Sequence, residues 1–128
     1  MPRIIAIVLF LCLAACGASA RTKTLRVSLV ALNTARDSVL AISKEREKQL
    51  YDACLVEAAL TPPKCSKDEG HARVDAWQKT VDTVVKAIDT GYRAVHDAAL
   101  LDDSKSAIDA AAAAKKALDL YDKFKEKP

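Results

Sequence analysis

The stretch VDAWQKTVDTVVKAIDTGYRAVHDAA, Val74 to Ala99, decides the fold. Val74, Trp77, Val81, Val84, Ile88, Tyr92, Val95 and Ala99 recur at alternating steps of three and four. That spacing stacks apolar side chains on one side of an α-helix, turn after turn. The opposite side is charged, and Asp75–Lys79, Asp82–Lys86 and Asp89–Arg93 place acid before base at the favoured four-residue spacing. Such a helix is stable only when other elements cover its stripe, so the chain must supply them. Trp77 lies on the stripe and is expected in the core rather than at a ligand. Gly91 costs about 1 kcal/mol against Ala in a helix interior, so it marks a kink or a close contact. His96 is expected to be a spectator.

Working back from this stretch, Ser66 and Glu69 make a capping box, and the helix is expected over about Lys67 to Leu100. Before it, TPPKCSKDEG (Thr61–Gly70) carries Pro62 and Pro63, which end whatever helix precedes them. That preceding helix is expected from about Thr24 to Leu60. Leu25, Leu29, Leu32, Val39, Ile42, Leu50 and Ala53 fall on one side of it, with SKEREKQ (Ser43–Gln49) interrupting the stripe. Arg36 and Arg46 fall in the same sector, where their stems can cover the core while their heads reach water. A groove or hinge at that level is the sharper alternative.

Working forward, LDDSKS (Leu101–Ser106) reads as a tight turn, and a third helix follows over about Ser104 to Lys125. Ile108, Ala111, Lys115, Leu118 and Tyr121 mark its inner side, flanked by Leu120 and Phe124. The alanines of DAAAAAKKA are strong helix formers that permit close packing. Lys123, Lys125 and Lys127 suit the negative end of a helix. Three amphipathic helices with short links predict an all-α domain, an antiparallel three-helix bundle. No internal repeat is visible.

The N-terminus is of another kind. Arg3 precedes an uncharged apolar run, Ile4–Ala15, of twelve residues. A bilayer core takes about 20 helical residues to span, so the run is too short for a span and has the layout of an export signal. Two cleavage sites compete. ASA at Ala18–Ala20 suits an ordinary signal peptidase. LAAC at Leu13–Cys16 resembles the lipobox of bacterial lipoproteins. The resemblance covers the first sixteen residues and no more. It implies that the thiol of Cys16 receives a diacylglycerol and that the signal, with Cys12, is cut away. It also implies an outer-membrane destination in a two-membrane host, because Gly17 stands where Asp would favour retention in the inner membrane. On this reading residues 1–15 are the lipoprotein signal peptide, 16–23 a lipidated tether, and 24–128 the helical domain. The alternative is a secreted or periplasmic protein without an anchor.

The mature chain of 113 residues is then one small domain with a formal charge of +2. That near-balance does not suggest a nucleic-acid partner. Cys54 and Cys65, an isolated pair in an oxidising compartment, read as a disulfide. No Cys-x-x-Cys occurs, and His71 and His96 lack partners at ligand spacing, so neither a metal nor another cofactor is expected. No nucleophile–base motif or glycine-rich phosphate loop appears, and no enzymatic activity is expected.

Two basic segments are candidate contacts. Arg21, Lys23 and Arg26 lie beside the expected anchor, with no acid before Asp37. Positive charge opposes a helix N-terminus, so these residues point to anionic head groups, a solvated tether being the plain rival. Lys64 and Lys67 flank Cys65 in an irregular segment on a rigid scaffold and are candidate contacts for an envelope protein partner, the plain rival being that the prolines merely end a helix and the disulfide merely staples a small domain. The function expected is a membrane-anchored structural or interaction module. A phage- or mobile-element-type envelope lipoprotein acting in lysis or superinfection exclusion is an alternative, and so is a helical module binding a small apolar ligand.

Overall fold

The computed structural model describes residues 18–101 and 103–126. The apolar run, Cys12 and Cys16 lie outside the described residues, as does the side chain of Arg21. The described chain is all-α, with three helices: α1 over Ala18–Ala58, α2 over Lys67–Leu101 and α3 over Ser104–Glu126. Among the described residues, no helix is long and apolar enough to cross a membrane.

The Val74–Ala99 stripe is the centre of the bundle. Val84, Ile88 and Val95 of α2 are buried against Leu25, Leu32 and Val39 of α1. Each such side chain is worth about 1.5–3 kcal/mol when fully buried. Contacts between α1 and α2 pair rising numbers in one helix with falling numbers in the other: Glu57 meets Arg73, Glu47 meets Gln78, and Arg36 meets Asp89. The capping box forms as expected. Ser66 Oγ accepts from Glu69 N at 3.2 Å, and Ser66 N donates to Glu69 Oε2 at 3.4 Å.

Four details differ from the sequence expectation. First, α1 begins at Ala18, so residues 18–23 are helix rather than tether, and it ends at Ala58 rather than Leu60. Small and polar residues suggest an irregular tether there, but Ala is the strongest helix former and no Gly or Pro interrupts 18–60. Second, α3 turns its alanines inward. Ala107, Ala110, Ala114, Ala117 and Phe124 are buried, Ala111, Leu118 and Tyr121 only flank the core, Ile108 is half-buried, and Lys115 is exposed. The reason is Gly91. A methyl group there would lie 3.3 Å from the Ala113 carbonyl oxygen and 3.4 Å from Ala114 Cα and Ala117 Cβ. Two helices of small residues approach more closely than leucines allow, and dispersion over that contact replaces large-side-chain burial. Gly91 therefore marks a close contact.

Third, Ala53 is exposed although it continues the α1 stripe. Phe124 stacks on Trp77, ring centroids 5.0 Å apart, and α3 ends two residues later. Trp77 Nε1 donates to the Ser43 carbonyl at 3.4 Å, so the third helix stops near the level of Ser43, well short of Ala53. Fourth, Asp75–Lys79, Asp82–Lys86 and Asp89–Arg93 do not close to ion-pair distance, and Asp89 pairs instead with Arg36 of α1 at 3.3 Å. Arg36 so reaches across to α2, while Arg46 is half-buried.

Candidate functional site

Beyond the end of α3 the molecule is a helical hairpin, α1 and α2 joined by residues 59–66. The chain leaves α1 through Pro62, whose bond to Thr61 is cis. Cys54 and Cys65 form a disulfide with Cα atoms 5.4 Å apart, inside the range that relaxed bridges span. Both cysteines are buried. The bridge ties the last turn but one of α1 to the residue before the cap of α2. Gly70 is buried beneath it, and a methyl group there would stand 3.0 Å from Cys54 Sγ. Lacking a side chain, Gly70 lets α2 start directly against the sulfur.

Two sides of this hairpin end carry different chemistry. On one, Arg73 donates to Glu57 Oε2 at 2.8 Å. That hydrogen bond holds the Glu57 carboxyl below its ordinary value; desolvation opposes it, and the charges of Arg73 and then Lys64 add to it. The same bond, with the Glu57 charge, holds Arg73 above its own ordinary value. Lys64 belongs to this arrangement, since its backbone N–H also donates to the Glu57 carbonyl at 3.0 Å.

The second feature is an open groove of about 320 Å³, lined by Tyr51, Cys54, Leu55 and Ala58 from α1 and by Ser66, Lys67 and Gly70 at the start of α2. Its walls are largely apolar. Tyr51 and Leu55 are 46% and 60% exposed, a cost that a packed neighbour would remove. Lys67 is the charged residue on the groove wall. Of the two lysines singled out from sequence, the structure therefore places Lys67 on the groove and Lys64 beside Glu57. Lys23 and Arg26 are exposed on the first turns of α1, about 40–50 Å away along that helix at 1.5 Å per residue.

Sequence reasoning overlooked Tyr51, Leu55 and Ala58. They recur at steps of four and three next to Cys54, which was a legible signal. They lie off the main stripe, however, and a second short stripe gains meaning only once the α2 start is known to face it. Gly70 and the Glu57–Arg73 pair were likewise passed over.

Among the described residues, no group of three or more His, Cys, Asp or Glu side chains could hold a metal ion. Compared with protein-family models, curated proteins and solved structures, the chain matches none.

Proposed function

We propose that this chain is an exported, lipid-anchored, non-enzymatic module of the cell envelope that engages a protein partner at its disulfide-tied end. The observation that carries the partner contact is the groove beside Cys54, with Lys67 on its wall and the rigid loop next to it. The disulfide also supports export, because such bridges persist in oxidising compartments. A loop held by Pro62, Pro63 and a disulfide loses little conformational freedom when it binds. The chemistry that fits is a partner segment with one bulky apolar side chain for the groove and a carboxylate for Lys67. Lipid on Cys16, with Arg21, Lys23 and Arg26 at anionic head groups, would place this end tens of ångströms from the membrane, since α1 is about 60 Å long.

Two measurements test the reading. Replacing Cys16 with Ser should abolish fatty-acid labelling and release the chain from membranes, whereas a mature chain starting at Arg21 refutes the anchor. Photo-crosslinkers at Lys64 and Lys67 should capture a partner that crosslinkers at Asp82 and Lys86 miss; adducts from the latter positions only would move the contact to the outer face of α2. The same groove also favours one second reading, a small apolar acid as ligand. Release of such an acid from the purified protein on denaturation would select it.

A further inference from the structure

At the opposite end from the disulfide, α2 finishes with two leucines pointing outward. Leu100 and Leu101 are 75% and 66% exposed, the former more than any other large hydrophobic residue described. They precede a turn into α3, where polar residues ordinarily face water. Their level along the bundle follows from the Arg36–Asp89 pair. Leu100 is eleven residues on from Asp89, and Leu25 is eleven residues back from Arg36, so Leu100 stands beside the first turns of α1. Val27 and Val30, 62% and 67% exposed, lie within two turns of that level. So do Lys23 and Arg26, both exposed. Asp103 shares the turn, but its carboxylate points back to cap α3, accepting from Ser106 N at 2.8 Å and Ser106 Oγ at 2.7 Å.

From these positions we infer that the Leu100–Leu101 turn is a second membrane contact, its leucines resting in the interfacial layer of the lipid surface while Lys23 and Arg26 lie against head groups. The inference rests on the anchored reading. What selects a lipid surface as the occupant is where the chain outside the described structure joins it. On the anchored reading the run Ile4–Ala15 is cut away, and the lipid on Cys16 stands two residues before Ala18, at this same end. Exposed leucines beside a basic strip are also what an interfacial contact uses. Leu25 is about 10 Å along the helix from Ala18, so an upright bundle would hold the leucines just clear of the lipid. The contact therefore requires the bundle to lean toward its α2–α3 turn.

The test uses the full chain, made with its own leader in a lipoprotein-processing bacterium and reconstituted into phosphatidylethanolamine–phosphatidylglycerol vesicles. In a Trp77→Phe background, Leu100→Trp should emit at shorter wavelength and be quenched at least twofold by brominated lipid, and Val56→Trp near the disulfide should not. Equal, solvent-like behaviour of the two in a chain that still floats with the vesicles overturns the contact and leaves the anchor standing. A chain that does not float overturns both. In the unsubstituted chain, trypsin should cut after Lys105 at least fivefold more slowly on vesicles than in detergent, while cutting after Lys64 is unchanged. Equal slowing at both sites overturns the contact independently of any substitution.

Discussion

Gly70 and Cys54 face each other so closely that one added methyl group would stand 3.0 Å from the sulfur. That sulfur is fixed by its bond to Cys65 and cannot swing aside. The same methyl would lie 3.7 Å from Cys54 Cβ, an ordinary contact. Gly70→Ala should therefore destabilise the oxidised protein by about 1 kcal/mol, the overpacking cost exceeding the gain in helix propensity. In a Cys54→Ala/Cys65→Ala background, which should itself cost about 3 kcal/mol on the chain-entropy account, Gly70→Ala should become neutral or stabilising. Urea denaturation of the four proteins gives the coupling; a coupling of zero refutes the contact.

The close approach of α2 and α3 at Gly91 predicts a steep dependence on side-chain size. Gly91→Ala gains about 1 kcal/mol of propensity against a contact tight by only tenths of an ångström, so its net effect should be small. Gly91→Leu should lose about 3 kcal/mol because it must push the α3 backbone away. An unchanged urea midpoint for Gly91→Leu would show that the helices do not meet there.

Phe124 closes the end of the three-helix core on Trp77. Phe124→Ala should cost about 3–5 kcal/mol, lowering the melting temperature by at least about 10 °C in a domain of this size. Trp77, the chain's single tryptophan, reports locally, and its emission should shift to longer wavelength in the same variant. A melting temperature within two degrees of the parent would place Phe124 outside the core.

Glu57 gives the acid dependence a sign. Its carboxyl is held below the ordinary value, by the Arg73 hydrogen bond first, so the folded state binds that proton less readily than the unfolded chain. The stabilisation is fully present above the unfolded value and is lost as pH falls through the folded one. Between pH 7 and about pH 3, the urea midpoint of the parent should fall further than that of Glu57→Gln. Equal falls would mean that the ion pair contributes nothing in solution.

The parts of this fold that were legible in the sequence are those governed by local rules. The α2 stripe, the Ser66–Glu69 cap and the proline stop each depend on spacing within a few residues, and the Cys54–Cys65 bridge is expected from setting aside Cys12 and Cys16. Legibility failed where the outcome depended on a distant neighbour. The inward face of α3 could not be chosen from its own residues, because hydrophobicity favours Ile108 and Leu118, whereas the Gly91 contact favours Ala114 and Ala117. None of the three expected acid–base pairs along α2 closes to ion-pair distance, and Asp89 pairs instead with Arg36 on another helix. At the candidate site, the charges of Lys64 and Lys67 are legible from sequence, yet the groove itself depends on α1 and α2 meeting at Gly70, a residue with no side chain to mark the contact.

The order of contacts between α1 and α2 sets an order of assembly. Glu57 and Arg73 are 16 residues apart in the chain, Glu47 and Gln78 are 31, and Arg36 and Asp89 are 53. Closing the longest of these loops from an open chain costs about 1 kcal/mol more than closing the shortest. Helix pairing is thus favoured to nucleate beside residues 59–66 and to zip toward the beginning of α1. During synthesis, however, the beginning of α1 emerges first. Leu25, Leu32 and Val39 must then remain uncovered until α2 is nearly finished, so the earliest part of the domain to be made is the last to find its partner. That bare stripe is the surface on which a holding chaperone would act, or from which a stalled chain would aggregate.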